Sequence, residues 1–156
     1  MTTQRTLKMT GTTLANSAIY ITANGAAPAT LDAAGFAALT WVKIKGVITY
    51  PDITDTEEDV TYSPIDEPVT QHAKGTTTYD GMDIEFVSIP GDTGQGHLST
   101  AKAAKTDWNF KYEMSDGVTI YRRGPVSQLS DMGGEVNDIK MITATMLPNV
   151  HVRVVA

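Results

Sequence analysis

The sequence predicts a mainly β chain with one helix: a two-sheet β-sandwich, an α-helix flanking it, and a long loop between two strands. Three observations carry that prediction. Short segments of alternating apolar and polar residues recur along the chain, separated by Gly, Pro and Asp-Gly turn signals. One stretch alone, Gln95 to Ala104, reads as a helix with a cap before it. And roughly 30 residues, about 51–80, separate the second predicted strand from the third, far beyond the ~4–6 residues of an ordinary connection.

The elements follow in order. Residues 1–16 are rich in Thr, Gly, Ala and Asn and read as a flexible arm, leaving 17–156 as a single domain. Ser17 to Ala23 is a short strand, and Asn24 to Phe36 a small-residue loop with a helical turn near Ala33. Trp41 to Tyr50 reads as one strand, with Val42, Ile44, Ile48 and Tyr50 on its core face and Trp41, Lys43, Lys45 and Val47 on the other. Pro51 and Asp52 break it, and Gly75 to Tyr79 restores β propensity. Met82 to Pro90 alternates again, Met82, Ile84 and Phe86 against Asp83, Glu85 and Val87. Asp92 or Thr93 caps the helix, whose basic last turn suits the macrodipole.

Asp107 to Ser115 places Trp108, Phe110, Tyr112 and Met114 inward and Asn109, Lys111 and Glu113 outward. Asp116-Gly117 turns the chain into Val118 to Arg123. Gly124-Pro125 reads as a bulge before Val126 to Leu129, and Met132-Gly133-Gly134 as a further turn. Glu135 to Leu147 is predicted as the longest strand, followed by a short tail from Val150 to Val155.

Charge is confined to one place. The net charge of -6 arises between Gly46 and His72, where Asp52, Asp55, Glu57, Glu58, Asp59, Asp66 and Glu67 meet no Lys or Arg. That acidic balance disfavours gripping a phosphate backbone. Zero Cys excludes disulfides, thiolate chemistry and Cys-based zinc sites. No apolar run approaches a membrane span, and Met1 to Arg5 is polar, so neither membrane binding nor a secretory leader is expected.

Motifs for catalysis and cofactors fall short of their requirements. Gly91-Asp92-Thr93-Gly94-Gln95-Gly96 precedes a helix but lacks the Gly-Lys-Ser/Thr ending of a phosphate loop. His72, His97 and His151 have no metal-ligand spacing. A calcium loop counted from Asp52 puts Glu57 where Gly is needed and Ser63 where Glu is needed. No Gly-x-Ser-x-Gly elbow exists, and the pair Asp83 and Glu85, ~7 Å apart on one strand face, is an ordinary polar face. The chain is therefore read as a non-enzyme with no cofactor and no metal.

From Gly75 onward a resemblance emerges. Ile89-Pro90-Gly91 ends a strand; Gly94-Gln95 opens a helix; an aromatic strand follows; then come Asp116-Gly117-Val118-Thr119-Ile120-Tyr121-Arg122-Arg123-Gly124 and a last segment rich in Val, Ile and Thr. In this order the segments resemble the major tail tube proteins of long-tailed, non-contractile, lambda-like bacteriophages. The resemblance covers about half the chain.

It implies a β-sandwich with a flanking helix, six copies to a ring, and rings stacked into a hollow tube that conducts DNA during ejection. It implies a tape measure protein in the lumen, tail tip and tail terminator proteins at the ends, and only transient, non-specific contact with DNA. Localisation in the virion follows, with the host cytoplasm as the place of assembly. The segment of about 51–80 occupies the position of the family's inter-ring loop, and no appended immunoglobulin-like domain is expected after Ala156.

Within that expectation the seven carboxylates named above are the inter-ring loop. Asp83 and Glu85 are the first candidates for the lumen, followed by Lys43, Lys45, Asp138 and Lys140 on the other long strands. Lys74, Lys102, Lys105, Arg122, Arg123 and Arg153 are the basic candidates at subunit contacts; Arg122 and Arg123 point to opposite faces of their strand, and one of them is read as entering an interface or a polar cavity. Two alternatives stay open: a related tube protein of a contractile tail or secretion system, and a stand-alone ligand-binding β-sandwich.

Overall fold

The structure is a computed structural model that describes residues 11–155. The arm expected over residues 1–16 lies outside the described residues as far as residue 10. In chain order the elements are β1 (Ala18–Thr22), α1 (Ala33–Ala37), β2 (Trp41–Lys43), β3 (Val47–Thr49), β4 (Asp55–Tyr62), β5 (Gln71–Tyr79), β6 (Met82–Val87), α2 (Thr93–Ala103), β7 (Trp108–Glu113), β8 (Thr119–Gly124), β9 (Val126–Asp131), β10 (Met141–Met146) and β11 (Val150–Val154). They form a five-stranded sheet of order β11-β8-β7-β1-β2, a four-stranded sheet of order β3-β6-β10-β9, and a separate two-stranded sheet, β4-β5. The two larger sheets are the expected sandwich.

Alternation builds the core. Met82, Ile84 and Phe86 of β6, with Ala144 and Met146 of β10, meet Ile19 and Ile21 of β1 and Trp108, Phe110 and Tyr112 of β7. Helix α2 closes one flank by packing on β9, β1 and β2, and contributes Leu98 and Ala101. Asp92 caps it, its carboxylate accepting the Gln95 N–H at 3.1 Å and the Lys45 N–H at 3.3 Å. At Gly94 a Cβ would stand 2.3 Å from the Lys43 carbonyl oxygen, so helix and strand meet this closely only because the residue is glycine.

Four expectations about elements are corrected. Trp41 to Tyr50 is two strands, because Gly46 (φ +79) lets the chain leave β2 in one sheet and enter β3 in the other. Gly124-Pro125 is a crossover, carrying the chain from β8 in the five-stranded sheet to β9 in the four-stranded one. The long strand expected over Glu135 to Leu147 is confined to Met141–Met146; residues 132–140 are an exposed loop in which Asp138 accepts the Glu135 N–H at 2.8 Å. The loop of about 51–80 is mostly the β4-β5 hairpin.

The outer face of the five-stranded sheet is also covered. The helical turn expected near Ala33 is α1, capped by Asp32, which accepts the Gly35 N–H at 2.8 Å. Its Phe36 stacks on Tyr121 at 5.4 Å, and Trp41 lies 5.9 Å from the same ring. Asn109, expected to face solvent, is fully buried there, donating to the Ala26 carbonyl at 2.8 Å and accepting from Arg123 at 2.9 Å. The tail from Val150 is strand β11, paired with β8.

Candidate functional site

Two features stand out from the packed body: an arm made of β4 and β5, and a bare face on the four-stranded sheet. Every residue of β4 is exposed. The register gives the arm two chemically different faces. Glu57, Asp59 and Thr61 share one with His72 and Lys74, joined by Lys74–Glu57 at 2.6 Å and His72–Asp59 at 2.9 Å. Val60 pairs with Ala73 and Tyr62 with Gln71 on the opposite face, and Ile65 and Val69 are exposed at the tip. The register shifts once, between Glu57 and Asp59. Asp66 and Glu67 lie beyond the strands at the tip, and Asp52 lies before β4. The acidic segment is thus an amphipathic hairpin with apolar side chains in water.

The arm's root is built against β8 and β11. Arg122 is 1% exposed and lies opposite Phe110, on the inner face of the five-stranded sheet. It donates to the Asp80 carbonyl at 2.8 Å, the Thr54 carbonyl at 3.4 Å and His151 Nδ1 at 3.1 Å. Tyr79 stacks on His151 with centroids 5.4 Å apart. Burial pushes the guanidinium below its ordinary value, with Asp55 and Asp80 acting the other way. Beside the root, Tyr50, Asp52, Asp55, Tyr112, His151 and Arg153 help line a cleft of about 260 Å³.

The bare face is the outward side of β3, β6, β10 and β9. Two cross-strand rows run over it. One is Gln128, Thr145 and Asp83, with the Thr145 hydroxyl donating to Asp83 at 2.6 Å. The other is Ser130, Thr143, Glu85 and Thr49. The first row is amide, hydroxyl and carboxylate, the second hydroxyl and carboxylate, and neither contains a basic residue. Strands β3 and β9 form the sheet's two open edges.

The remaining candidates do not gather on this face. Lys43 is on β2, in the other sheet, and Lys45 is in the crossover after it. Asp138 and Lys140, expected on a long strand, lie in the 132–140 loop, where Lys140 approaches Asp131 at 3.6 Å. Among the basic candidates, Lys74 belongs to the arm itself and is engaged by Glu57. Arg122, a basic candidate for a subunit contact, is 1% exposed and buried within its own chain. Arg123 is held by Asn109 at 2.9 Å and the Gly25 carbonyl at 3.1 Å. Lys102 and Lys105 near the end of α2, and Arg153 on β11, are exposed and have no ion pair among the described residues.

His151 and Tyr79 were not singled out from the sequence. The signal for the root was an arginine in phase with buried Val118, just before β8, and Ile120 within it. Among the described residues no three His, Asp or Glu side chains converge as a metal site, and no helix is long and apolar enough to cross a membrane.

Neither a protein-family model nor a curated protein matches the sequence. Solved structures do match the fold. A chain of the cryo-EM structure of the anti-feeding prophage baseplate, 6-fold symmetrised, is similar with a TM-score of 0.68 and 6% identity, over 94% of this chain and 97% of that one. The SPP1 tail tube, a hybrid solid-state NMR and cryo-EM structure, gives 0.66 and 10% identity, over 90% of this chain and 77% of that one. The tail of an empty GTA particle, refined with C6 symmetry, gives 0.59 and 11% identity, over 76% of this chain and 88% of that one. The chain has a tail-tube-like fold. In this tail-tube-like fold the bare sheet face and the arm have no partner layer among the described residues.

Proposed function

We propose that this chain is the structural subunit of a bacteriophage tail tube, with residues 17–156 as its single tube domain. Copies close into hexameric rings, the rings stack, and the lumen conducts DNA during ejection. The carboxylate-bearing face between two open edges carries this conclusion. An uncovered sheet with open edges is an aggregation hazard in a monomer. A head-to-tail contact that closes by rotation pairs β3 of one copy with β9 of the next and leaves no edge. The face then lines a continuous wall whose Asp83 and Glu85 repel phosphate, so DNA slides without sticking. Similarity to assembled tail structures of six-fold symmetry supports the ring size.

The arm is the inter-ring connector in this proposal. A two-stranded hairpin is marginal in water alone, and this one presents Val60, Tyr62, Ile65 and Val69 to solvent. A subunit of the next ring covers that face, with Lys102, Lys105 and Arg153 as the basic groups for its carboxylates. A tape measure protein in the lumen and tip and terminator proteins at the ends complete the virion tail, assembled in the host cytoplasm. No catalytic role is assigned. Electron microscopy of the purified protein tests the proposal: rings or tubes of constant width are expected, and a persistent monomer under all assembly conditions would overturn it.

Similarity to a baseplate chain favours a second reading, a tube protein of a contractile tail or secretion system. A sheath gene beside this one in the genome selects it.

A further inference from the structure

Among the described residues Arg122 is the one buried Lys or Arg, and no carboxylate lies within ion-pair distance of it. Desolvating a guanidinium costs several kcal/mol unless its donors are met. Here each of its three nitrogens donates once, two to the stems of the arm and one to an imidazole. The Thr54 carbonyl precedes β4, the Asp80 carbonyl follows β5, and Asp80 N–H donates to Thr54 at 3.0 Å. One side chain of the body therefore fastens both stems.

The third partner is of a different kind. Arg122 Nε–H donates to His151 Nδ1 at 3.1 Å, and β8–β11 register sets the two residues opposite one another. The arginine cannot lose its proton at working pH, so His151 Nδ1 must carry a lone pair and its proton sits on Nε2. A second proton, at Nδ1, deletes this bond and sets an imidazolium against a guanidinium. The same ring is the platform on which Tyr79 stacks.

We propose that Arg122 and His151 form a latch that fastens the root of the β4-β5 arm to the β8–β11 edge, and that protonation of His151 opens it. Neighbouring charges come from each element packed there. Arg122 on β8 and Arg153 on β11 oppose protonation, while Asp55 on β4 favours it. Asp52 shares the cleft, and Asp80 and Tyr79 complete the arm side. Burial, then Arg122, holds the imidazole below its ordinary value. The latch is closed at neutral pH and opens in acid. It belongs to the single chain and does not depend on ring assembly.

The chain has no cysteine, so spin labels go on cleanly at Thr61→Cys in the arm and Ser127→Cys at an exposed position of β9. Pulsed electron resonance on the unassembled chain reads the distance between them, with circular dichroism confirming a folded body at each pH. The expected distribution is narrow at pH 7.5 and about twofold broader at the lowest pH at which circular dichroism still shows a folded body. His151→Asn keeps an acceptor oxygen but does not titrate, and should stay narrow at both. His151→Phe keeps the stack but loses the acceptor, and should be broad at both. Equal widths in the wild type, or acid broadening that persists in His151→Asn, overturns the latch. If His151→Phe does not fold, the wild-type and His151→Asn pair decides.

Discussion

Gln95 shows how much one amide can organise. Its Oε1 accepts the Ile89 N–H at 3.0 Å, and its Nε2 donates to the carbonyls of Lys45 at 2.9 Å and Val87 at 2.8 Å. Helix α2, the crossover after β2 and the end of β6 are thereby pinned at one buried point. Gln95→Leu strands those three groups and is expected to cost about 2 kcal/mol, lowering the thermal midpoint by several degrees in a melt followed by circular dichroism. His151 acts on stability through pH. Its folded value lies below the 6.5 of the free imidazole, so the unfolded chain takes up the proton first. The contribution is full above 6.5 and is lost as pH falls from there toward the lower folded value. Denaturant melts should show that loss in the wild type and not in His151→Asn. At this scale the sequence was partly legible. Inward phase flagged Arg122, but its partners lie 29 to 68 residues away, and no local pattern joins them.

At the scale of elements, register adds to what charge shows of the arm. Six carboxylates between Asp55 and Tyr79 against Lys74 alone invited a charge-driven account. Pairing shows that Glu57 and Asp59 already have partners on the arm's polar face, while Val60 and Tyr62 stay exposed on the other. Replacing Thr56–Thr78 by Asn-Gly keeps the root and should leave the thermal midpoint within about 5 °C while abolishing tube elongation. Val60→Asp with Tyr62→Asp should fold normally and give rings without long tubes in electron micrographs. Long tubes from either variant would remove the arm from stacking. The hairpin was hard to read because β4 is Asp-Thr-Glu-Glu-Asp-Val-Thr-Tyr, with almost no apolar alternation. Its partner strand, not its composition, makes it β.

For the whole molecule, the decisive property is asymmetry of cover. One sheet's outer face is roofed by α1 and Phe36; the other is bare and carries Asp83 and Glu85. Asp83→Lys with Glu85→Lys should leave fold and tubes intact and lower infectivity per tube-bearing particle about tenfold, because a cationic wall holds phosphate. Unchanged infectivity would place the DNA path on another face.

The sequence by itself determined the mainly β class, the inner faces of β6 and β7 and the capped helix, since these follow from periods and caps within a few residues; it put Ile48 in the core and Val47 outside, which the structure reverses. It also determined that charge is concentrated in one segment. Only the tertiary structure decided where the chain changes sheets, because Gly46 reads as the interior of one strand and Gly124-Pro125 as a bulge until their flanking strands find different partners. It alone decided that Asn109 and Arg122 are buried and that the acidic segment is a hairpin with an apolar face. Burial and pairing are properties of contacts distant in sequence, and alternation tells which side a residue takes but not what covers it.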